Sequence, residues 1–450
     1  MFRDEQNAWQ LAKNSVSIFE VFSNSRYEGR PPTYFLLLRA FSQLDKSPEA
    51  IKMISFICAG FSAFVILRKF QSPLYLRILL LFSFPFSGTY FVFVREYCLI
   101  ITLLALLGWM ISEDRIDSPI VLMAISALMI LNLFGLMMGI SLTVYLLLVK
   151  KSKLASVFTN KKLFFLVPVA LLSAAFMIPP SDSTFVGNQF DESPSTLARL
   201  FVYKFIEIIF PLNLQGEYGN EKSLYKTLLL FGAGLVLIFA IGFLFWKTSK
   251  AIFATYIVYS VLFFGNVTVG YAWHWWHFGM YQSFVILLSV VCLSEFNFRR
   301  FWSSPHIVSG FLTLVFLLVN VLGSYIGPAK VMFSSQEFSG AKKAANAIFD
   351  ECQDAACFVA SLDHTIGVPL AGYLNESVYF MDKGHFGTFF DWRKTISFVD
   401  PITELQEISK VENRVLLASP RPLENDARIE LIFQFSDAVW ENYWIYRLVK

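Results

Sequence analysis

Charged residues are scarce in this chain of 450 residues: only 16% are Asp, Glu, Lys or Arg. A soluble domain carries about a quarter. Hydrophobic residues make up 56% of the chain, and phenylalanine alone supplies 49 of them. A soluble core does not bury that much apolar surface, whereas lipid accepts it. The composition therefore predicts an integral membrane protein.

Basic tracts and cysteine motifs are also missing. The net charge is only +3, and no basic run with interleaved aromatic residues occurs, which argues against a nucleic-acid partner. The five cysteines form no CxxC pair and no Cys/His spacing typical of a zinc site. Cys352 and Cys357 lie close together in a polar region. They would form a disulfide in an oxidising compartment and would otherwise remain thiols.

Apolar runs of roughly membrane length recur from Ile51 to Ile326 and predict about ten transmembrane helices. The run Leu197–Leu212 is interrupted by Lys204 and Glu207, so we expect an interfacial or re-entrant helix there. The predicted spans are Ile51–Leu67, Leu74–Val94, Tyr97–Ile111, Pro119–Leu136, Met138–Val149, Leu163–Ile178, Leu224–Trp246, Ala251–Val269, Met280–Leu293 and Ile307–Ile326.

Positive charge predicts the orientation, because loops rich in Lys and Arg face the cytoplasm. Every second connection is basic, although the loop Glu113–Asp117 is net acidic and departs from this alternation. The remaining loops would then face outward, together with residues 1–50 and the tail. The basic connections contain Arg68, Lys69, Arg77, Lys150, Lys151, Lys153, Lys161, Lys162, Lys247, Lys250, Arg299 and Arg300.

The composition changes after Gly327, where charged residues become frequent and short alternating runs appear. We predict strands and two amphipathic helices there, forming a small extracytoplasmic α/β domain. The predicted organisation is a first outer loop with juxtamembrane helices at 1–50, a transmembrane helical domain at 51–326 and the α/β domain at 327–450. The strands are predicted at Cys357–Leu362, Ser377–Met381, Arg414–Ala418, Ile429–Phe435 and Tyr443–Leu448, and the helices at Ser339–Glu351 and Pro401–Val411.

The first outer loop concentrates acidic residues beside an otherwise apolar protein. It contains Arg3-Asp4-Glu5, then Ala8-Trp9, then Arg26-Tyr27-Glu28-Gly29-Arg30 followed by two prolines. A sugar transferase needs a carboxylate that takes the proton from the acceptor hydroxyl during attack on the anomeric carbon. Without a catalytic role, Asp4 would cap a helix and Glu28 would be solvated. Composition alone favours this second interpretation.

Two further positions on the outer side carry polar groups. Arg95, Glu96 and Tyr97 begin an apolar helix, and Arg95 could bind a phosphate bidentately. An interface anchor would have the same residue types. His274 and His277 lie among tryptophans; the rings could stack on a sugar, or they could form an aromatic belt.

The first loop resembles that of the GT-C glycosyltransferases, which include protein O-mannosyltransferases and lipid A aminoarabinose transferases. The match is closer to uncharacterised bacterial members, whose loop reads Arg-Asp-Glu-Ala-x-Ala-Trp and later Arg-Tyr-Glu-Gly-His-Pro. Arg30 replaces that His. Relatives also carry Arg-His-His-Gly near the position of His277 and an asparagine like Asn132. A membrane helix precedes the loop in this family, so we expect roughly 15–25 further apolar residues upstream of Met1.

This resemblance implies a membrane glycosyltransferase of the bacterial inner membrane, with its active site on the periplasmic side. It implies a polyprenyl-phosphate sugar donor, a lipid, glycan or protein acceptor, contact with membrane lipid, and no required cofactor, although it leaves room for a divalent cation. Asp4 is implied as the catalytic base, with Glu5 beside it and Glu28 in the donor or acceptor site. The implied substrate-binding residues are Arg30, Arg95, Glu96, Tyr97, His274, His277 and Asn132.

Two other functions are compatible with the sequence. A transporter or flippase of lipid-linked sugars would place charged or helix-breaking residues at mid-membrane, whereas the candidate residues here gather at one face. A catalytically silent envelope assembly protein would use the outer tail to bind a partner. An activity measurement is needed to separate this last function from a transferase.

Overall fold

The computed structural model describes most of the chain. The positions it covers are residues 3–83, 85–86, 90, 95–149, 164–183, 194–210, 224–269, 275–294, 314–322, 337, 339–353, 357–390, 392, 401–410, 414–424, 426–438 and 441–449. The protein is mostly helical and carries a small sheet near its C-terminus, which confirms the fold class at this level. The predicted basic connections 150–162 and 299–300 lie outside the described residues.

Among the described residues, two helices are long and apolar enough to cross a membrane, Pro48–Lys69 and Thr227–Thr248. Shorter apolar helices coincide with most of the other predicted spans, so the figure of about ten spans stays a prediction. Of the last predicted span, only 314–322 is described, and it is helical. The helices in this part of the chain are Ile51–Lys69, Leu74–Leu81, Tyr97–Ser112, Pro119–Met129, Leu133–Val149, Leu166–Met177, Pro194–Ile209, Leu224–Thr248, Lys250–Val269 and Trp275–Ser294.

The break between Pro119–Met129 and Leu133–Val149 lies earlier than the boundary between the predicted spans Pro119–Leu136 and Met138–Val149. Asn132 explains this position, because its side-chain Oδ1 accepts a hydrogen bond from the backbone N–H of Gly135 at 3.0 Å. This is the usual way in which an asparagine starts a helix. A Cβ atom on Gly135 would lie 2.1 Å from the carbonyl oxygen of Leu128, so only glycine fits there.

The chain divides into two compact units. The first comprises Met1–Met53, Pro179–Phe185 and Val331–Lys450, and the second comprises Ile54–Ile178 and Val186–Lys330. We call them the polar unit and the helical unit. The helices before Ile54 are Arg3–Asn14, Ile18–Tyr27 and Thr33–Ser42, with a short 3-10 turn at Pro48–Ala50.

The described residues of the polar unit contain a six-stranded mixed sheet. Its strands are β1 Phe358–Ser361, β2 Val378–Phe380, β3 His385–Gly387, β4 Val415–Ser419, β5 Ile429–Phe435 and β6 Tyr443–Leu448. Their order across the sheet is β3-β2-β1-β4-β6-β5. β1 pairs in parallel with β2 and β4, while the β2/β3, β4/β6 and β5/β6 pairs are antiparallel. All five predicted strands are present, whereas the edge strand β3 was not predicted.

Helices cover both faces of this sheet. Ala341–Cys352 and His364–Leu374 pack on one face, and Pro401–Ser409 packs on the other. Successive residues of β4 alternate between the faces, since Leu416 contributes to the first core and Leu417 to the second. The sequence did not predict His364–Leu374, because two glycines and a proline interrupt it and it is buried nearly all round, so no amphipathic pattern marks it.

The N-terminal helix Arg3–Asn14 is part of the same unit and is almost wholly buried. It passes close to His364–Leu374 at Gly372, where a Cβ atom would lie 2.3 Å from Oε1 of Gln6. The small residue therefore permits this helix contact. The structure also joins Cys352 and Cys357 in a disulfide, with their Cα atoms 5.8 Å apart.

The predicted Arg-Tyr-Glu-Gly motif ends the helix Ile18–Tyr27. Gly29 has a φ of 62°, the left-handed conformation that glycine adopts readily. The N–H of Gly29 donates to the carbonyl of Arg26 at 3.0 Å, and the N–H of Arg30 donates to that of Ser25 at 3.1 Å. This pair of bonds is the Schellman motif. The motif therefore places Glu28 at the very end of a helix.

Candidate functional site

Glu28 is held inside the polar unit by two side-chain donors. Its Oε1 accepts hydrogen bonds from Nδ2 of Asn7 at 2.8 Å and from Nε1 of Trp392 at 2.6 Å. Oδ1 of Asn7 in turn accepts from the backbone N–H of Phe390 at 2.7 Å. Asn7 therefore ties the end of the first loop to the C-terminal α/β domain. Glu28 is not a solvated residue, because only 4% of it is exposed.

Burial raises the pKa of Glu28 above its ordinary value. The charge of Arg30 and the hydrogen bonds from Trp392 and Asn7 oppose this shift, while the nearby charge of Asp4 adds to it. Removing a carboxylate from water disfavours its ionised form, and a second negative charge acts in the same direction. Glu28, Asp4 and Arg30 therefore belong to one electrostatic group.

Glu441 is a further member of this group, and the sequence did not point to it. Its Oε1 accepts a hydrogen bond from the backbone N–H of Arg3 at 3.0 Å. Burial raises the pKa of Glu441 to about 7, and the charge of Asp4 contributes in the same direction. We call Asp4, Glu28 and Glu441, with Arg3 and Arg30, the carboxylate cluster.

The three predicted acidic residues differ in their access to solvent. Asp4 keeps 20% of its side chain exposed and pairs with Nε of Arg3 at 3.5 Å. Glu5 and Glu28 are each only 4% exposed. Asp4 and Asn7 are three positions apart and so share one helix face, whereas Glu5 points about 100° away. Asp4 is therefore the carboxylate of the three that a ligand reaches most readily.

The helical unit brings together five other predicted residues. Nε of Arg95 lies 3.7 Å from Oε2 of Glu96, and both side chains are buried. The guanidinium of Arg95 also lies over the ring of Tyr97, at 5.7 Å from its centroid. Nδ2 of Asn132 donates to Oε1 of Glu96 at 3.3 Å. Ring centroids of Tyr97 and His277 are 6.2 Å apart.

This grouping, which we call the arginine cluster, joins three separate helices. Tyr97 begins one helix, Asn132 precedes the next but one, and His277 lies in Trp275–Ser294. His277 also packs against Phe134, with centroids 5.3 Å apart. A buried Arg–Glu pair with an amide and aromatic rings around it can accept a charged group of a ligand. The other predicted histidine, His274, lies outside the described residues.

A third group of polar side chains lies just beyond the C-terminal ends of β1 and β2 in the polar unit. Nδ1 of His364 contacts Oδ2 of Asp382, whose Oδ1 accepts from the backbone N–H of His364 at 2.9 Å. Oδ1 of Asp363 lies 3.6 Å from the same imidazole nitrogen. One ligand atom of each residue lies within 4.8 Å of the others.

The chemistry of this group suits either a proton or a cation. Nε2 of His364 is buried and has no hydrogen-bond partner among the described residues. Imidazole and carboxylate are ligands that Zn²⁺ and Mn²⁺ accept. Asp363, His364 and Asp382 are therefore where the divalent cation allowed by the sequence would bind. The sequence missed them, because no two-His or Cys/His spacing marks the site.

Comparisons with known proteins add no assignment: no protein-family model matches this chain, and no curated protein matches it. The geometry of the clusters must therefore carry any functional conclusion.

Proposed function

We propose that this protein is a membrane glycosyltransferase that moves a sugar from a polyprenyl-phosphate donor to an extracytoplasmic acceptor. The observation that carries the proposal is the carboxylate cluster, in which Asp4 remains accessible beside buried Glu28 and Glu441. Glycosyl transfer needs one reachable base and a fixed environment around it. The cluster offers both within one compact unit.

In this mechanism Asp4 accepts the proton of the acceptor hydroxyl as that oxygen attacks the anomeric carbon. The bond from the anomeric carbon to the phosphate oxygen breaks, and polyprenyl phosphate leaves with its electron pair. Glu28 acts as a positioning residue, because its hydrogen bonds to Asn7 and Trp392 hold the end of the first loop in place. Glu5 is too buried to replace Asp4.

The arginine cluster supports the donor half of the proposal. Arg95 offers a planar guanidinium whose donors match phosphate oxygens. Glu96 and Asn132 hold each other by a hydrogen bond, and Glu96 pairs with Arg95, so the guanidinium is oriented before a donor arrives. We propose that Arg95 binds the donor phosphate and that Tyr97 and His277 contact its sugar.

Large apolar side chains exposed on the helices support a membrane location. Phe56 and Phe64 are exposed on Ile51–Lys69, and Val236 and Phe239 on Leu224–Thr248. Lipid accepts such surfaces, whereas water penalises them. The disulfide between Cys352 and Cys357 supports an oxidising, extracytoplasmic compartment for the polar unit. We accordingly propose a multi-pass protein of the bacterial inner membrane with the polar unit outside.

The experiment compares variants of the full chain in membranes that contain a radiolabelled polyprenyl-phosphate sugar. Asp4→Asn keeps the shape of the side chain but weakens proton acceptance, so transfer should fall by about 100- to 10,000-fold. Asp350→Asn is the matched control, because Asp350 is an exposed carboxylate of the same unit that accepts a hydrogen bond from Gln353 near the C-terminal end of Ala341–Cys352. Arg95→Lys keeps a cation beside Glu96 but loses the planar fork of the guanidinium, so it should mainly weaken donor binding, seen as a raised KM for the lipid-linked sugar.

Full transfer by Asp4→Asn and by the double variant Asp4→Asn/Glu5→Gln would remove the first loop from the mechanism. If the unaltered chain transfers no sugar but its polar unit binds a partner, the silent assembly protein would be favoured instead. Movement of the lipid-linked sugar across vesicles without transfer would favour a flippase.

A further inference from the structure

A cavity of about 560 Å³ opens in the polar unit beside Glu28. This volume falls within the range of roughly 300–1,000 Å³ that is typical of small-molecule sites. Trp392, which donates to Glu28, lines the cavity, so the carboxylate cluster and the cavity share a wall. Its lining includes Asn14, Asn24, Tyr27, Phe386, Thr388 and Phe390.

The lining combines aromatic rings with amides and hydroxyls, together with the carboxylate of Glu20 and the imidazole of His385. The rings of Phe390 and Trp392 stand nearly perpendicular, with centroids 5.4 Å apart, and Phe386 is 52% exposed at the edge strand β3. The amides of Asn14 and Asn24 add further hydrogen-bonding groups. Among the described residues that line the cavity, none is a lysine or an arginine.

Several of these groups are already held in place. Nε1 of Trp392 is fixed by Glu28, and the hydroxyl of Tyr27 donates to the carboxylate of Asp182 at 3.0 Å. Nδ2 of Asn14 donates to Oε1 of Gln10 at 2.7 Å, which fixes the orientation of this amide. Such preorganisation lowers the entropic cost of binding.

We propose that this cavity binds a neutral oligosaccharide, which would be the acceptor glycan of the proposed transferase. A pyranose ring has an apolar face of C–H groups that packs on an aromatic ring, and hydroxyls at its edge that pair with amides and hydroxyls. The described lining residues include His385 but no lysine or arginine, and the carboxylate of Glu20 would repel an anionic ligand. The choice of acceptor rests on the proposed function, whereas binding of the sugar does not.

The test is calorimetric titration of the purified full chain with three neutral trisaccharides: maltotriose, mannotriose and tri-N-acetylchitotriose. We expect at least one of them to bind with a Kd of about 1 mM or tighter, and inorganic pyrophosphate to bind more weakly. Phe386→Ala should weaken this binding by about 5- to 10-fold, because it removes a stacking surface. Thr388→Val should weaken it about 3- to 5-fold by removing a hydroxyl while keeping the shape.

Phe349→Ala is the matched control, because Phe349 is 48% exposed in the same unit but does not line the cavity. It should leave the Kd unchanged. The inference is overturned if none of the three trisaccharides binds, if pyrophosphate or an alkyl detergent competes better than they do, or if Phe386→Ala binds like the unaltered chain. Melting temperatures of each variant show whether a loss of binding is merely a loss of folding.

The two proposals fail separately. If Asp4→Asn loses transfer while Phe386→Ala binds trisaccharides as tightly as the unaltered chain, the proposed sugar binding in the cavity is wrong and the proposed transferase function stands. Weakened trisaccharide binding in Phe386→Ala with full transfer in Asp4→Asn would leave a sugar-binding cavity without the proposed catalytic base.

Discussion

The polar unit and the helical unit handle buried charge in different ways. Within the described part of the polar unit, no lysine or arginine side chain donates a hydrogen bond to the buried carboxyls of Glu28 and Glu441, and burial raises the pKa of each. The helical unit instead buries Arg95 directly against Glu96. Its helices carry large exposed apolar side chains.

This difference separates two kinds of chemistry. Burial raises the pKa of Glu441 to about 7, so this carboxyl group changes its protonation near neutral pH, which suits proton transfer and the positioning of hydroxyl groups. A buried ion pair keeps both charges and suits the binding of a fixed charge such as a phosphate. The proposed division of acceptor and donor chemistry between the two units follows from this contrast.

The largest expected stability effect comes from breaking the ion pair of the helical unit. Arg95→Met leaves Glu96 buried without its cation and should lower the free energy of unfolding by about 3–5 kcal/mol. The double variant Arg95→Met/Glu96→Gln should lose much less, because no uncompensated charge remains. Thermal unfolding in detergent measures both, and equal losses would show that the pair does not act as a unit.

The second prediction concerns the pH dependence of stability that the buried carboxyl group of Glu441 contributes in the polar unit. Its pKa of about 7 lies above the ordinary 4.5, so the folded protein holds this proton more tightly than the unfolded chain. The free energy of unfolding should therefore fall as pH rises from about 4.5 to about 7, by roughly 3 kcal/mol from this residue. Glu441→Gln should remove that part of the pH dependence.

Melting temperatures at about pH 5 and about pH 8 give the slope of stability against pH. Glu28 keeps its own contribution in the variant, so the slope should decrease and not vanish. Exposed Glu424→Gln is the control and should leave the slope as it was. An unchanged slope in Glu441→Gln would mean that Glu441 is ionised as easily in the folded protein as in the unfolded chain.

Removing the disulfide should have a smaller effect, confined to the polar unit. The ring closed by Cys352 and Cys357 is short, so the double variant to serine should lose about 2 kcal/mol. A reducing agent should lower the melting temperature of the unaltered chain to that of the variant and leave the variant unaffected. A variant that still responds to the reducing agent would place the effect at another cysteine.

The smallest expected changes in stability come from replacing one glycine in each unit. Gly29→Ala forces a side chain into a φ of 62° and should cost about 1 kcal/mol. Gly60 lies within Ile51–Lys69, and a Cβ atom added there would meet no neighbouring atom of the described residues within 4 Å. Gly60→Ala should therefore be neutral or stabilising by up to about 1 kcal/mol. Melting temperatures that shift in the same direction would contradict this contrast.

Particular elements show which parts of the fold and site could be predicted from the sequence. The sequence predicted Ile429–Phe435 and Tyr443–Leu448 with the observed bounds, because both are short runs rich in isoleucine and aromatic residues. The strand β3 was missed because it has only three residues and no alternation. The short motif around Asp4 and Glu28 was visible because its members lie close together along the chain. Trp392 and Glu441 were invisible, since they lie hundreds of residues away.

The amino-acid sequence by itself determined the helical, apolar character of the chain and the small C-terminal sheet, because hydrophobic content and periodicity are local properties. Only the tertiary structure decided which side chains share a site. Composition alone favoured a solvated Glu28, but the Schellman turn at Gly29 and the donors Asn7 and Trp392 keep it buried. Contacts between residues distant in sequence depend on packing of the whole unit, and no local pattern records them.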